Sequence, residues 1–283
     1  MCCFSLCHRS LQYKVVLEVF MKKERIPSFI QQMEQYKPLM HELVVRDLKI
    51  KYRRSVLGYV WSLLNPLLMM AVMTVVFSYM FRFDIPNYPL YLICGQTLWT
   101  FFNESTSMAM HSVLVNGALI RKVYIPKYIF PISRVLSCFV TMSFSLLAIL
   151  IVMLFTRVPF SWAMLLIPVP LLLLLVFCMG IGMVLSALSV YFRDIVHLYG
   201  VLTMIWMYVT PIFYPISALP EEVAKYITLN PLFHYISFFR EIVLAGAVPA
   251  AATWLNCLIS SVVAFVVGLW SFHKLQRNFI LHV

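Results

Sequence analysis

The stretch from Val158 to Phe192, VPFSWAMLLIPVPLLLLLVFCMGIGMVLSALSVYF, runs for 35 residues without a Lys, Arg, Asp or Glu. A hydrocarbon core about 30 Å thick takes about 20 apolar residues as a helix. The run is therefore long for one crossing and short for two plus a turn, and it predicts one long helix over 162–190. Pro168 and Pro170 either kink that helix or delay its start. Gly180, Gly182 and Ser186 put small residues on its surface, which permits close approach of a second helix.

Working outward, four more uncharged stretches of at least 22 residues lie between Leu57 and Phe272, and a sixth, Tyr88 to Ile120, is interrupted only by Glu104. The pattern predicts an all-α integral membrane protein with six transmembrane helices over 57–81, 90–117, 135–156, 162–190, 196–215 and 251–272. Composition agrees: 62% of residues are hydrophobic and 12% charged, against about a quarter charged in soluble domains. Six spans consume almost all of the 283 residues, so a second, soluble catalytic domain has no room. ATP-driven work would need another subunit.

The net charge of +11 does not imply nucleic acid, because the bases cluster at the ends of the apolar runs. With six alternating spans, 18 Lys/Arg fall on one side and only Arg82, Arg157, Lys225 and Arg240 on the other. The positive-inside rule then puts both termini in the cytoplasm. Seven cysteines give no disulfide framework, since Cys138, Cys178 and Cys257 sit inside apolar runs. Residues 1–27 read as a poorly ordered extension with no signal peptide, and Met21-Lys22-Lys23 resembles a natural start. Cys2, Cys3, Cys7 and His8 resemble a metal cluster in composition, but their spacing fits no zinc pattern.

The remainder, 28–283, reads as one membrane domain. Over 38–54, Met40, Val44, Leu48 and Tyr52 recur at i, i+4 opposite Glu42, Arg46, Lys49 and Arg53. That is an amphipathic helix suited to lying among anionic lipid headgroups, and an ordinary solvated helix shares the pattern. The segment 118–130 contains a short basic amphipathic stretch, Leu119, Ile120, Arg121, Lys122, Val123, Tyr124, Ile125, Pro126 and Lys127. It is suited either to insert into a partner's groove or simply to fix topology by its charge. The segment 216–249 is too charged at its ends to cross and too apolar to float free. It predicts short helices dipping into the outer leaflet, punctuated at Asn230-Pro231.

Catalytic signatures are absent. No Gly precedes a Lys, so there is no phosphate-binding loop; H-E-x-x-H and G-x-S-x-G are missing too. An intramembrane carboxylate is costly and functional by default, which singles out Glu104. It reads as an ion relay, as a structural residue bonded near Asn103, Ser105 and Thr106, or as a group facing a wet cavity. The aromatics Trp99, Phe102, Tyr208, Phe213 and Tyr214 are either packing and interfacial belt or, if they line a passage, faces on which sugar rings stack.

The order of these segments resembles the permease subunit of polysaccharide-exporting ABC transporters, the ABC-2 type exporters of O antigens, capsules and teichoic acids. Four patterns carry the likeness: Arg46-Asp47-Leu48-Lys49 with Tyr52 to Ser55, Leu57-Gly58, Trp61 and Pro66; Leu119 to Lys127; Tyr191-Phe192-Arg193-Asp194; and Pro211 to Pro215 with Leu219-Pro220 and Asn230-Pro231. The resemblance implies a homodimer in the plasma membrane, partnered by two ATPase subunits that use ATP and Mg while this chain binds no cofactor. It implies Leu119–Lys127 as a coupling helix, Tyr191, Phe192, Arg193 and Asp194 as an inner motif, and Tyr214, Pro215, Asn230 and Pro231 as part of an outer gate. The substrate would be a lipid-linked glycan on undecaprenyl diphosphate. Arg46, Lys49, Arg53 and Arg54 are suited to attract its headgroup, as they are to bind membrane lipids. Two other readings remain: a membrane-embedded enzyme of polyprenyl-linked sugar metabolism, and an ion-coupled transporter using Glu104.

Overall fold

The computed structural model describes residues 34–53, 57–80, 85–122, 125–276 and 279. The extension 1–27 with its Cys/His cluster, and Arg54, Arg82, Val123 and Tyr124, lie outside them. Residues Leu39–Val283 form one compact unit, distinct from Met1–Pro38. All regular structure among the described residues is helical.

Helix α1 (Lys37–Tyr52) leads through a 3-10 turn at Gly58–Val60 into α2 (Trp61–Met80). Then follow α3 (Tyr88–Val115), the short α4 (Gly117–Lys122), α5 (Ile129–Thr156), α6 (Pro168–Tyr191), α7 (Ile195–Val209), α8 (Glu221–Ile227), α9 (Pro231–Leu244) and α10 (Ala251–Leu275). Among the described residues, four segments are long and apolar enough to cross a membrane: Gly58–Tyr79, Ile129–Thr156, Trp162–Tyr191 and Ala251–Leu275.

Helix α3 is outside that set, yet it is the hub. It packs on α5 and α6, and also on α2, α7 and α9, and buries Leu90, Ile93, Leu98, Phe101, Phe102, Ala109 and Val113. A helix surrounded by protein can carry Gln96, Asn103 and Glu104, because neighbours rather than lipid meet its sides. The opposite case is α2, which packs on the core through Leu63, Leu67, Met70, Met73 and Phe77 and turns Leu68, Val72, Val75 and Tyr79 outward.

The tightest crossing joins α6 to α10, and of the small residues singled out in the sequence it rests on Gly180. A Cβ on Gly180 would lie 2.3 Å from the Ala264 carbonyl, and one on Gly268 would lie 2.4 Å from the Gly180 carbonyl. Only glycine lets the two backbones meet.

The long run 158–192 divides as its prolines suggest. A 3-10 turn at Trp162–Leu166, capped by Ser161, precedes a helix that starts at Pro168, where a missing N–H costs nothing. The fifth expected span, 196–215, is shorter than its hydropathy suggests, because α7 stops at Val209 and Thr210 is extended (ψ 130°). Pro211 explains this: its ring disfavours helical backbone at the residue before it. At 15 residues, α7 is about 22 Å long.

Candidate functional site

One end of the bundle gathers α1, α4, the α6–α7 turn and the last turn of α10; the other gathers α8, α9 and the loop after α7. Each end is organised by one buried ionic residue.

At the first end the centre is Asp47, 6% exposed. Helix α1 buries Met40, Leu43 and Asp47, a face one step away from the 40/44/48/52 stripe expected from sequence. The Asp47 carboxylate accepts from Arg46 Nη2 at 3.2 Å and from Arg134 Nη1 of α5 at 3.0 Å, with Ser137 Oγ at 3.4 Å. A buried carboxylate is tolerable only when paired and hydrogen-bonded this fully. Arg46 also donates to Asn116 Oδ1 at 3.4 Å, and Asn116 Nδ2 donates to the Ser112 carbonyl at 2.7 Å.

Asn116 is the single residue between α3 and α4, and its own carbonyl accepts from Leu119 N and Ile120 N to start α4. The joint therefore ties α4 to α1, α3 and α5 together. On α4 itself, Gly117 and Ile120 are buried, Leu119 is half-buried, and Arg121 and Lys122 are exposed. Ile125 and Pro126 lead on to Lys127, whose Nζ donates to the Gln276 carbonyl at 2.9 Å; burial holds its ammonium below the usual lysine range. Tyr191 donates to the Leu275 carbonyl at 2.6 Å. Phe192 is extended and exposed, and Arg193 and Asp194 complete the turn into α7. Lys49 and Arg53 are exposed. Arg46 is instead engaged by Asp47 and Asn116.

Glu104 pairs with Lys51 of α1, not with Asn103, Ser105 or Thr106. Thr106 bonds back to the Phe102 carbonyl and accepts from Tyr199 Oη at 2.6 Å. The Lys51–Glu104 pair lines a groove of about 340 Å³ between α2, α3 and α5.

At the other end the organiser is Arg240 of α9, which sequence had counted only as an outer base. Its Nη1 and Nη2 donate to the Pro211 and Ile212 carbonyls, each at 2.8 Å, and its Nε donates to the Tyr91 carbonyl at 3.1 Å. The guanidinium lies 3.4 Å from the centre of the Tyr91 ring, a cation–π contact. Tyr88 Oη donates to the Phe213 carbonyl and Tyr91 Oη to that of Tyr214. Every carbonyl from Pro211 to Tyr214 is thus met by a side chain, which is what irregular backbone requires away from water. Gly95 makes room: a Cβ there would sit 2.4 Å from Arg240 Nη2. Asn230 closes the clamp, its Oδ1 accepting from Trp206 Nε1 at 2.9 Å and from Leu232 N, and its Nδ2 donating to Thr210 Oγ1 at 2.8 Å. It caps α9, and Pro231 is that helix's first residue.

Among the aromatic gate candidates, Trp99 and Phe102 are core residues, Phe102 meeting Trp206 edge-on at 5.1 Å. Their rings pack inside the protomer. Phe213 stacks on Phe77 at 5.4 Å, Tyr214 donates to the Tyr208 carbonyl, and the Tyr208 ring is exposed. Pro215 is half-buried before the short turn at Ile216–Ala218.

Residues 38–244 match the family described as ABC-2 type transporter. The chain belongs to that family. It is 31% identical over 245 residues to the O-antigen export system permease protein RfbA of Myxococcus xanthus, covering 86% of this chain and 92% of that one. It is 32% identical over 240 residues to the RfbA protein of Klebsiella pneumoniae, with 83% and 90% covered. The polysialic acid transport protein KpsM of Escherichia coli is more distant, at 20% identity over 248 residues. Both clamps fall within the ABC-2 region.

Sequence reading named Asp47 only within the first pattern of the resemblance and gave no role of its own to Asp47, Arg134, Asn116, Lys51 or Arg240. For Asp47 a signal exists: it follows Met40 and Leu43 at helical spacing, an acid on an apolar stripe.

Proposed function

We propose that the chain is the membrane-spanning subunit of an ATP-driven exporter of lipid-linked polysaccharide. In this reading α2, α3, α5, α6, α7 and α10 cross the plasma membrane, with α9 and the Pro211–Tyr214 loop as the outer gate. Two copies form the conduit, and two ABC ATPase subunits drive it with ATP and Mg. The glycan is carried on undecaprenyl diphosphate. The end-to-end similarity to O-antigen export permeases carries the reading. Charge supports its orientation: Arg121, Lys122, Lys127, Arg134, Arg193 and Lys274 all lie at the α1 end, which is then cytoplasmic.

The geometry also supplies a lever. A partner pressing on exposed Arg121 and Lys122 moves α4, and the Asn116 joint passes that motion to α1, α3 and α5, because packed helices shift as rigid elements. In reconstituted transporter, Tyr124→Asp and Pro126→Gly are expected to abolish export and uncouple ATP hydrolysis while the chain still inserts. Normal export by both variants would overturn the docking assignment.

The ion-coupled alternative rests on Glu104. Its pairing with Lys51 favours a structural tie, and retained export by Glu104→Gln removes the alternative. Cleavage of a lipid-linked sugar by the purified chain without ATP would replace the permease reading with an enzyme.

A further inference from the structure

The end of α10 collects contacts from two other segments of the same face. A helix leaves its last carbonyls without partners of its own, and at α10 two of these are met from two different turns. Tyr191, the last residue of α6, donates its Oη to the Leu275 carbonyl at 2.6 Å. Lys127, in the link between α4 and α5, donates its Nζ to the Gln276 carbonyl at 2.9 Å, where the negative end of the helix dipole favours a cation.

Phe279 covers both of them. Its ring is 0% exposed although it lies past the end of α10 at Leu275. It meets Tyr191 edge-on at 6.0 Å and Phe272 edge-on at 5.4 Å, and the Lys127 ammonium lies 5.5 Å from its centre, within cation–π reach. One ring therefore touches the α4–α5 link, the start of the Tyr191–Asp194 turn and the last turn of α10 at once. Water can satisfy the carbonyls of an exposed helix end; recruiting Tyr191 and Lys127 under a buried ring instead makes three segments one unit.

The joint at Asn116 gathers α1, α3, α4 and α5. The cluster at Phe279 ties the same link to a different pair, α6 and α10, which meet backbone against backbone at Gly180 and Gly268 and so shift as one body. Lys127 is placed to pass a displacement on. Pro126 fixes the backbone before it, and the Pro126 and Lys127 carbonyls accept from Ile129 N and Phe130 N, which start α5.

We propose that Phe279 is a positioning residue for export: it seats Lys127 and Tyr191 on the end of α10, so that a displacement of the α4–α5 link is carried to the α6–α10 pair. The inference deepens the exporter reading and rests on it.

The test uses the full-length chain in complex with its ATPase subunit, reconstituted in proteoliposomes with lipid-linked polysaccharide extracted from cells that lack the permease and accumulate it. ATP hydrolysis, export and the melting temperature of the complex are read side by side. Phe279→Ala is expected to lower export per ATP hydrolysed about tenfold, inside the range of about 5–150-fold spanned by ordinary coupling between sites, with ATP hydrolysis within about twofold of wild type. Lys127→Met, at a half-buried position outside the core, should lower export per ATP by the same factor, and Lys127→Arg should recover most of it. The double variant should be no worse than either single one, because both break one joint. Unchanged export per ATP in Phe279→Ala and Lys127→Met overturns the joint. So does a loss of export that tracks a fall in melting temperature and is not recovered by Lys127→Arg, the pattern of a purely structural role. A wild-type complex that hydrolyses ATP without exporting sinks the exporter reading and this joint with it; wild-type export with unaffected variants sinks the joint alone.

Discussion

The two ends of the bundle solve the same problem by different means. At the α1 end a buried carboxylate, Asp47, is held by two arginines and a serine, and one of those arginines, Arg46, also bonds the Asn116 joint. At the α9 end a buried guanidinium, Arg240, is held by backbone carbonyls and a tyrosine ring, and in turn holds a loop that no helix satisfies. In the first, side chains lock helices to one another. In the second, one side chain stands in for missing backbone hydrogen bonds.

The contrast breaks most severely at Arg240. Arg240→Leu leaves the Ile212 carbonyl without a side-chain partner and the Pro211 carbonyl with only a long bond from Tyr91 Oη at 3.5 Å, at about 1–3 kcal/mol each, so a loss on the order of 4 kcal/mol is expected, read as a fall in melting temperature and yield of folded chain. Arg240→Lys should recover only part of it, because an ammonium cannot reproduce the fork. Full stability in Arg240→Leu would show that the loop does not depend on the clamp.

At the other end, Asp47→Asn leaves Arg134 buried without its counter-charge, and about 3 kcal/mol is expected to be lost in thermal unfolding. Adding Arg134→Met to it should restore part of that loss; additive effects would mean the two residues do not act as a pair. Gly95→Ala sharpens the comparison by a smaller step. Pushing Arg240 off its carbonyls should cost about 1–3 kcal/mol, and an unchanged melting curve would argue that the guanidinium has room to move. The smallest effect belongs to Glu104→Gln. The Lys51–Glu104 pair is a third or more exposed, so about 1 kcal/mol or less is expected, diminishing further in high salt.

Apolar length was legible in exposed and buried helices alike; it did not reveal which helix the others pack on. The exposed α2 and the runs that became α5, α6 and α10 announce themselves by apolar length. Helix α3 hides its importance because its neighbours allow it to carry Gln96, Asn103 and Glu104. Prolines fixed local breaks well at Pro168 and Asn230-Pro231. At Pro211 the chain remains apolar after the helix has ended, so composition alone extended the fifth span to 215.

By itself the sequence determined an all-helical chain of apolar runs, the sides on which its bases collect, and the order of segments that marks the ABC-2 family. These follow from length, charge and proline position, which are local properties. Only the tertiary structure decided that Asp47 joins Arg46 and Arg134, that Lys51 meets Glu104, and that Arg240 spans from α9 to the Tyr91 and Pro211–Ile212 carbonyls. Apart from the adjacent Arg46–Asp47, these partners are 28 to 149 residues apart and are set by how helices cross, and a linear pattern carries no record of that.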